Sequence, residues 1–191
     1  MQEFQNQVFN EGKTYYNWQQ KTVDISLVKQ AFDFAMLGPT SFNCEPIRII
    51  FIESDSAKKR LKPHLMEANI QKTMQAPLTA IIAYDLKFHE KLPNLFPNYD
   101  AKSVFDNMPE IIAESAFRNS SLQAGYFILA LRSVGLDSGA MSGFNNKTLD
   151  EDFFPGGNIK SNFLLNIGYG EENPEYQRAP RLQFDDICNI I

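Results

Sequence analysis

Cysteine is nearly absent from this 191-residue chain. Cys44 and Cys188 are too few and too far apart for a disulfide framework or a thiolate cage. No His-x-x-x-His or Glu-x-x-His pattern accompanies them, so no metal site is expected. No apolar run approaches the roughly 20 residues that cross a bilayer, and Met1 to Glu11 is too polar for a secretory leader. The expectation is a cytoplasmic protein with no membrane partner. A formal charge of −5 lacks the basic surplus with which nucleic-acid surfaces displace counterions, so no nucleic-acid partner is expected either. Repeats, low-complexity tracts and linkers are missing, which points to one domain over residues 1–191. A Gly-x-Gly-x-x-Gly run is missing too, so any nicotinamide docks without a dedicated Rossmann site.

What is present reads as helices alternating with short strands. After Asp24, apolar residues at Leu27, Val28, Ala31, Phe32 and Ala35 have the spacing of a helix face, and Gly38-Pro39 stops the run. Ile47 to Ile52 and Thr79 to Tyr84 are β-branched and almost continuously apolar, the pattern of neighbouring strands covered on both faces. A polar helix over roughly Ser56 to Met66 and a second helix starting near Asn69 separate them. Lys87 to Val104, with Pro93 and Pro97, reads as a long excursion rather than a regular element. From Pro109 to Ser133 a long helical stripe is rich in small residues and closes at Gly135. Asn162 to Ile167 is a third buried strand. The polar tail after Glu171 is expected to run across a surface, that of a partner subunit included. Trp18 is expected in the core or a dimer contact, Cys44 as a small packing residue, and His64 and His89 as surface groups with no assigned role.

Several strings occur together in one order: Gly-Pro-Thr-Ser-Phe-Asn-Cys-Glu-Pro (38 to 46), Asn-Ile-Gln-Lys (69 to 72), Ala-Phe-Arg-Asn-Ser-Ser (116 to 121) and Met-Ser-Gly-Phe (141 to 144). Leu-Pro-Asn-Leu-Phe-Pro (92 to 97) and Leu-Asn-Ile-Gly-Tyr-Gly (165 to 170) join them. In these strings, over nearly its whole length, the chain resembles the nitroreductase superfamily of flavin mononucleotide (FMN) enzymes. It is closer still to the malonic semialdehyde reductases of pyrimidine breakdown. The resemblance implies an α+β fold with a central, mainly antiparallel sheet flanked by helices. It also implies an intertwined homodimer with an exchanged C-terminal tail and FMN sites at the subunit interface.

The same resemblance distributes the parts of FMN among residues. Its phosphate calls for charge-assisted contacts, and Lys13, Thr14, Arg178 and Arg181 are the candidates. Taken alone these are solvated surface groups, and the run Gly-Lys-Thr-Tyr-Tyr departs from the Arg-x-Ser-x-Arg (or Lys) of many members. Pro39 opens the candidate flavin loop, in which Thr40, Ser41 and Asn43 offer short polar groups to the ring edge and ribityl chain, although such residues also favour plain turns. Asn69 and Lys72 share a helix face and match positions at the pyrimidine end of the flavin, where a cation favours the anionic reduced ring. Ser142 and Gly143 match the segment that approaches flavin N5, and Gly143 leaves room for backbone beside the ring. Many relatives have Pro and Glu where this chain has Ala140 and Ser142, a local change in polarity.

Hydride chemistry belongs to the cofactor, so no obligatory acid or base follows; water or the Tyr15 phenol would protonate a nascent alkoxide. The leading expectation is NADH- or NADPH-dependent reduction of malonic semialdehyde, a small aldehyde, to 3-hydroxypropionate. The alternatives are a broad nitro or quinone reductase and a non-catalytic FMN carrier. A helical interaction module is disfavoured by the buried strands.

Overall fold

The computed structural model describes residues 1–172 and 178–191. The helices are α1 (Gln2–Gln5), α2 (Ile25–Ala35), α3 (Asp55–Leu61), α4 (Glu67–Gln75), α5 (Leu92–Leu95), α6 (Ala101–Asn107), α7 (Ile112–Ser133), α8 (Asn146–Phe153) and α9 (Phe184–Ile187). The strands are β1 (Ile47–Ile52), β2 (Leu78–Asp85), β3 (Asp137–Met141) and β4 (Ile159–Gly168). They form one sheet in the order β1-β2-β4-β3, with every neighbouring pair antiparallel. The architecture is α+β, a central antiparallel sheet flanked by helices.

Alternation along the two central strands builds a core on each face, because successive side chains of a strand point to opposite sides. Ala80 and Ile82 of β2 and Leu165 and Ile167 of β4 face α2 and α7, where Val28, Ala31, Phe127 and Leu131 meet them. Ile81 and Ala83 with Leu164 face the other way, onto Leu61 of α3 and Leu149 of α8. Each buried large apolar side chain contributes about 1.5–3 kcal/mol to this two-sided packing. A third cluster gathers Cys44, Phe88, Leu92, Phe105 and Ala116 beneath the 88–107 region.

The local signals act where the sequence places them. The Asp24 side chain accepts from the Ser26 amide and caps α2, and the Gly38 amide closes it on Ala35. Gly135, at φ +82°, ends α7 in the left-handed region that favours glycine. Four expectations need correcting. β1 is an edge strand with Phe51 half-exposed, so only β2 and β4 are covered on both faces. The excursion holds a 3-10 turn (Phe88–Lys91), α5 and α6; Pro93 falls in a first turn, where it breaks no hydrogen bond, and Asp100 caps α6 by accepting from Ser103. The polar helix stops at Leu61 and tightens into a 3-10 turn at Lys62–His64, where Pro63 cannot donate. His64 and His89 are not surface groups: their side chains are 12% and 14% exposed, His64 bonding Thr148 and Asp152. Residues 173–177 of the tail lie outside the described residues, and the part beyond them leaves Leu182, Phe184, Ile187 and Ile190 exposed.

Candidate functional site

Residues 13–18 run along the outer edge of β3. Thr14 bridges Ser138 in parallel, the Tyr15 amide donates to the Ser138 carbonyl at 3.1 Å, and Trp18 bridges Gly170. Trp18 is 3% exposed, so this strap is pinned by a buried indole as well as by backbone bonds. Glycines make the close approach possible: a Cβ at Gly139 would strike the Tyr15 carbonyl, and one at Gly170 would strike the Tyr15 ring.

Six of the candidate residues meet along this edge. The buried Asn69 amide on α4 donates to the Gly143 carbonyl at 2.7 Å, and the Met66 amide donates to the same carbonyl at 3.0 Å. A Cβ at Gly143 would meet the Asn69 Nδ2, so the bare glycine is what lets this hydrogen bond form undisturbed. Ser142, next to it, is exposed. One helical turn after Asn69, the Lys72 Nζ lies 4.8 Å above the Tyr16 ring. Burial pushes the Lys72 ammonium below the usual lysine range. Lys13 pairs with Glu172 at 2.5 Å, while Thr14 is exposed beside it.

Arg178 reaches this cluster and Arg181 does not. The Arg178 Nη2 donates to the carbonyls of Phe9, Asn10 and Gly12, immediately before Lys13. The Arg181 Nη1 is exposed and donates only locally, to the Ala179 and Pro180 carbonyls. Tyr15 gives its hydroxyl proton to Glu172 at 3.2 Å. Burial first, then the carboxylates of Asp137 and Glu172, push the phenol up to about 12.

The remaining candidates form a second group. Pro39, Thr40, Ser41 and Asn43 sit in the loop that feeds β1, at the opposite edge of the sheet from β3. Three strand spacings separate the edges, roughly 14 Å. The loop is held in unusual backbone: Phe42, Asn43 and Glu45 have φ of 53°, 52° and 40°. Such residues cost about 1–3 kcal/mol each and persist only when their surroundings over-determine them. Here the Ser41 amide donates to the Asn119 Oδ1 at 2.9 Å and the Asn43 Nδ2 donates to the Leu95 carbonyl at 3.0 Å. Phe42 stacks on Tyr99 with ring centroids 5.9 Å apart. Asn119→Leu, isosteric but without an acceptor, should therefore cost about 1–3 kcal/mol through the stranded Ser41 amide. Thermal unfolding and faster hydrogen exchange at Ser41 are the checks.

Sequence reasoning missed Tyr16, Asn119, Arg132, Asp137 and Glu172. A signal existed for Asn119, a polar residue on the small-residue stripe of α7 and 3% exposed. None existed for Glu172, 159 residues from the lysine it pairs with. Arg132 packs its guanidinium against Gly12 and donates to the Val8 carbonyl at 3.2 Å. Burial and then Arg178 push it below the usual arginine range, while burial pushes the Asp137 carboxyl up. Two guanidinium groups and an ammonium thus border one short stretch of backbone, a setting that favours a bound anion.

Among the described residues no group of three or more His, Cys, Asp or Glu side chains is arranged to hold a metal ion, and no helix is long and apolar enough to cross a membrane.

Comparison with solved structures places this fold. It matches ydfN, a candidate nitroreductase of Bacillus subtilis, with a TM-score of 0.86 and 18% identity over 100% of both chains. A candidate NAD(P)H:FMN oxidoreductase of Staphylococcus epidermidis matches with a TM-score of 0.85 and 20% identity, over 100% of this chain and 97% of that one. A candidate nitroreductase of Exiguobacterium sibiricum, solved in complex with FMN, matches with a TM-score of 0.81 and 21% identity, over 98% and 96%. The family model for the nitroreductase family matches residues 13–154, which carry both side-chain groups except for the tail arginines. On that match the chain belongs to the nitroreductase family.

Proposed function

We propose that the protein is an FMN-dependent NAD(P)H oxidoreductase, a single domain over residues 1–191 that works as a homodimer. The observation that carries this reading is the convergence of Lys13, Asn69, Lys72, Gly143 and Arg178 along one sheet edge of a nitroreductase-family chain. The residues fit the cofactor. Lys13 and Tyr15 already hold a carboxylate, a stand-in for a phosphate oxyanion, and Gly143 leaves backbone bare beside Asn69. In the proposed assignment Lys13, Thr14 and Arg178 hold the phosphate, Asn69 and Lys72 the pyrimidine edge, and Ser142 and Gly143 border N5; Arg181, bonded only locally, is left out of it. Bound FMN would supply hydride exchange between NADH or NADPH and the acceptor.

The homodimer is supported by two features. The candidate residues split between opposite sheet edges, and a second copy that brings its Pro39–Asn43 group to the Lys13–Gly143 group would unite them. The outward face of α7 also carries an apolar groove of about 730 Å³ lined by Phe117, Leu122, Tyr126 and Leu129, with exposed apolar residues in the tail available to cover such a surface. Exchange of that tail between subunits belongs to the same proposal.

For the substrate we propose malonic semialdehyde, reduced to 3-hydroxypropionate, on the strength of the six strings quoted above. Hydride adds to the aldehyde carbon, the carbonyl π bond breaks, and the oxygen takes a proton. Water is the proposed source, since the Tyr15 hydroxyl is engaged with Glu172. The test is steady-state turnover by the yellow, purified protein with NADH and NADPH. Consumption of malonic semialdehyde at a kcat/KM well above that for nitroaromatics and quinones is the expected result. The reverse ranking transfers the function to a broad nitro or quinone reductase. Failure of NADPH to bleach the bound flavin in stopped flow would leave a carrier.

A further inference from the structure

The carboxylate on Lys13 is itself a contact with consequences. Glu172 presents one oxygen to the Lys13 Nζ at 2.5 Å and the other to the Tyr15 hydroxyl at 3.2 Å. The ammonium side chain is 23% exposed and the glutamate 76%, so the carboxylate reaches in from solvent onto a sheltered cation. The main chain is anchored up to the preceding residue: the Gly170 amide donates to Asp137 and the Glu171 amide donates to the Asn17 carbonyl. Beyond that anchor only side-chain torsions separate the paired glutamate from one swung into water. Arg178 and Arg132 donate to carbonyls of the backbone just before Lys13. Lys13 in turn holds the Glu172 carboxyl below the usual glutamate range through their hydrogen bond.

We infer that Glu172 is an intramolecular competitor for the flavin phosphate, a residue that holds FMN affinity below what the cations alone would give and leaves riboflavin affinity untouched. The inference rests on the FMN reading above. A phosphate dianion outbids a single carboxylate for the same ammonium by Coulomb attraction, whereas the neutral 5′-hydroxyl of riboflavin has nothing with which to displace it. Phosphorylated flavin enters by exchanging one anion for a stronger one; unphosphorylated flavin leaves the ion pair in place and gains no phosphate contacts.

The experiment is fluorescence titration of FMN and of riboflavin into flavin-stripped wild type and Glu172→Gln. Glutamine keeps the shape and a Tyr15 acceptor but gives up the charge. FMN should bind Glu172→Gln about fivefold more tightly than wild type, the scale of an exposed ion pair, with riboflavin affinity unchanged. The gain should shrink at high salt, because exposed charges are screened. FMN affinity that is unchanged or weaker overturns the inference, as does an equal gain for both flavins. Absence of FMN binding by wild type and variant alike overturns the FMN reading itself. A merely structural role for Glu172 predicts loss, not gain, on substitution.

Discussion

Gly139→Val is expected to lower the stability of the folded protein by about 3 kcal/mol, the upper part of the range for overpacking a filled site. At position 139 the new Cβ meets the carbonyl oxygen and carbon of Tyr15, which are backbone, and the Trp18 ring behind them. Backbone cannot rotate out of the way. Relief comes only if the 13–18 strap lifts off β3, breaking the Thr14–Ser138 bridge and loosening an indole that is 3% exposed. For a chain of this size the melting temperature should fall by roughly 6–12 °C. The strap also carries Lys13, Thr14 and Tyr15, so FMN affinity should fall at least tenfold at temperatures where the variant is still folded. Gly143 makes the contrast: a Cβ there meets the Asn69 amide, the end of a side chain that can turn aside, so the fold should lose far less. Scanning calorimetry and flavin titration on Gly139→Val decide the matter. A melting point within 2 °C of wild type with unaltered FMN binding would show that the strap is not seated on β3 in solution.

That strap marks the limit of what the sequence discloses. β1 is legible to the residue because four of the six residues of Ile-Arg-Ile-Ile-Phe-Ile are β-branched, and β2 and β4 are legible as apolar runs. β3 is not, because Asp-Ser-Gly-Ala-Met has no β-branched residue, and its glycine serves the strap beside it rather than the strand. α5 and α6 escape notice because prolines and aromatics obscure helices of four and seven residues, too short for a periodic stripe. In the candidate site, local motifs carry identity: Asn69 and Gly143 stand out by their strings and prove to be hydrogen-bonded to one another. Pairings across the chain carry no sequence signal. Glu172 with Lys13, and Arg132 with Gly12, come together only once the sheet has brought β3 and its neighbours into register. The split of the loop group from the strap group is likewise invisible until strand order is known, since residues 39–43 and 69–72 look like near neighbours in the chain.

Two variants that each bind no flavin should restore it when mixed. Lys13→Glu with Lys72→Glu replaces both lysines of the strap group with anions that repel a phosphate and a reduced flavin alike. Ser41→Trp places a large ring in the exposed loop that faces the partner's strap group in the proposed dimer, where the fold has no need of the serine hydroxyl. In a homodimer of either variant both sites contain one defective half. In a mixed dimer the defects coincide in one site and leave the other with an unaltered strap group from one copy and an unaltered loop from its mate. Random reassociation makes half of the dimers mixed, each with one intact site, so about a quarter of the wild-type flavin content and NAD(P)H oxidation should return. The measurement is flavin absorbance and turnover after co-expression, or after joint unfolding and refolding, of the two chains. If each flavin were instead enclosed by a single copy, every mixed dimer would carry one defect in each site and nothing would return. Strand order, which sets the loop before β1 and the strap beside β3 at opposite edges of one sheet, is what favours the two-copy arrangement.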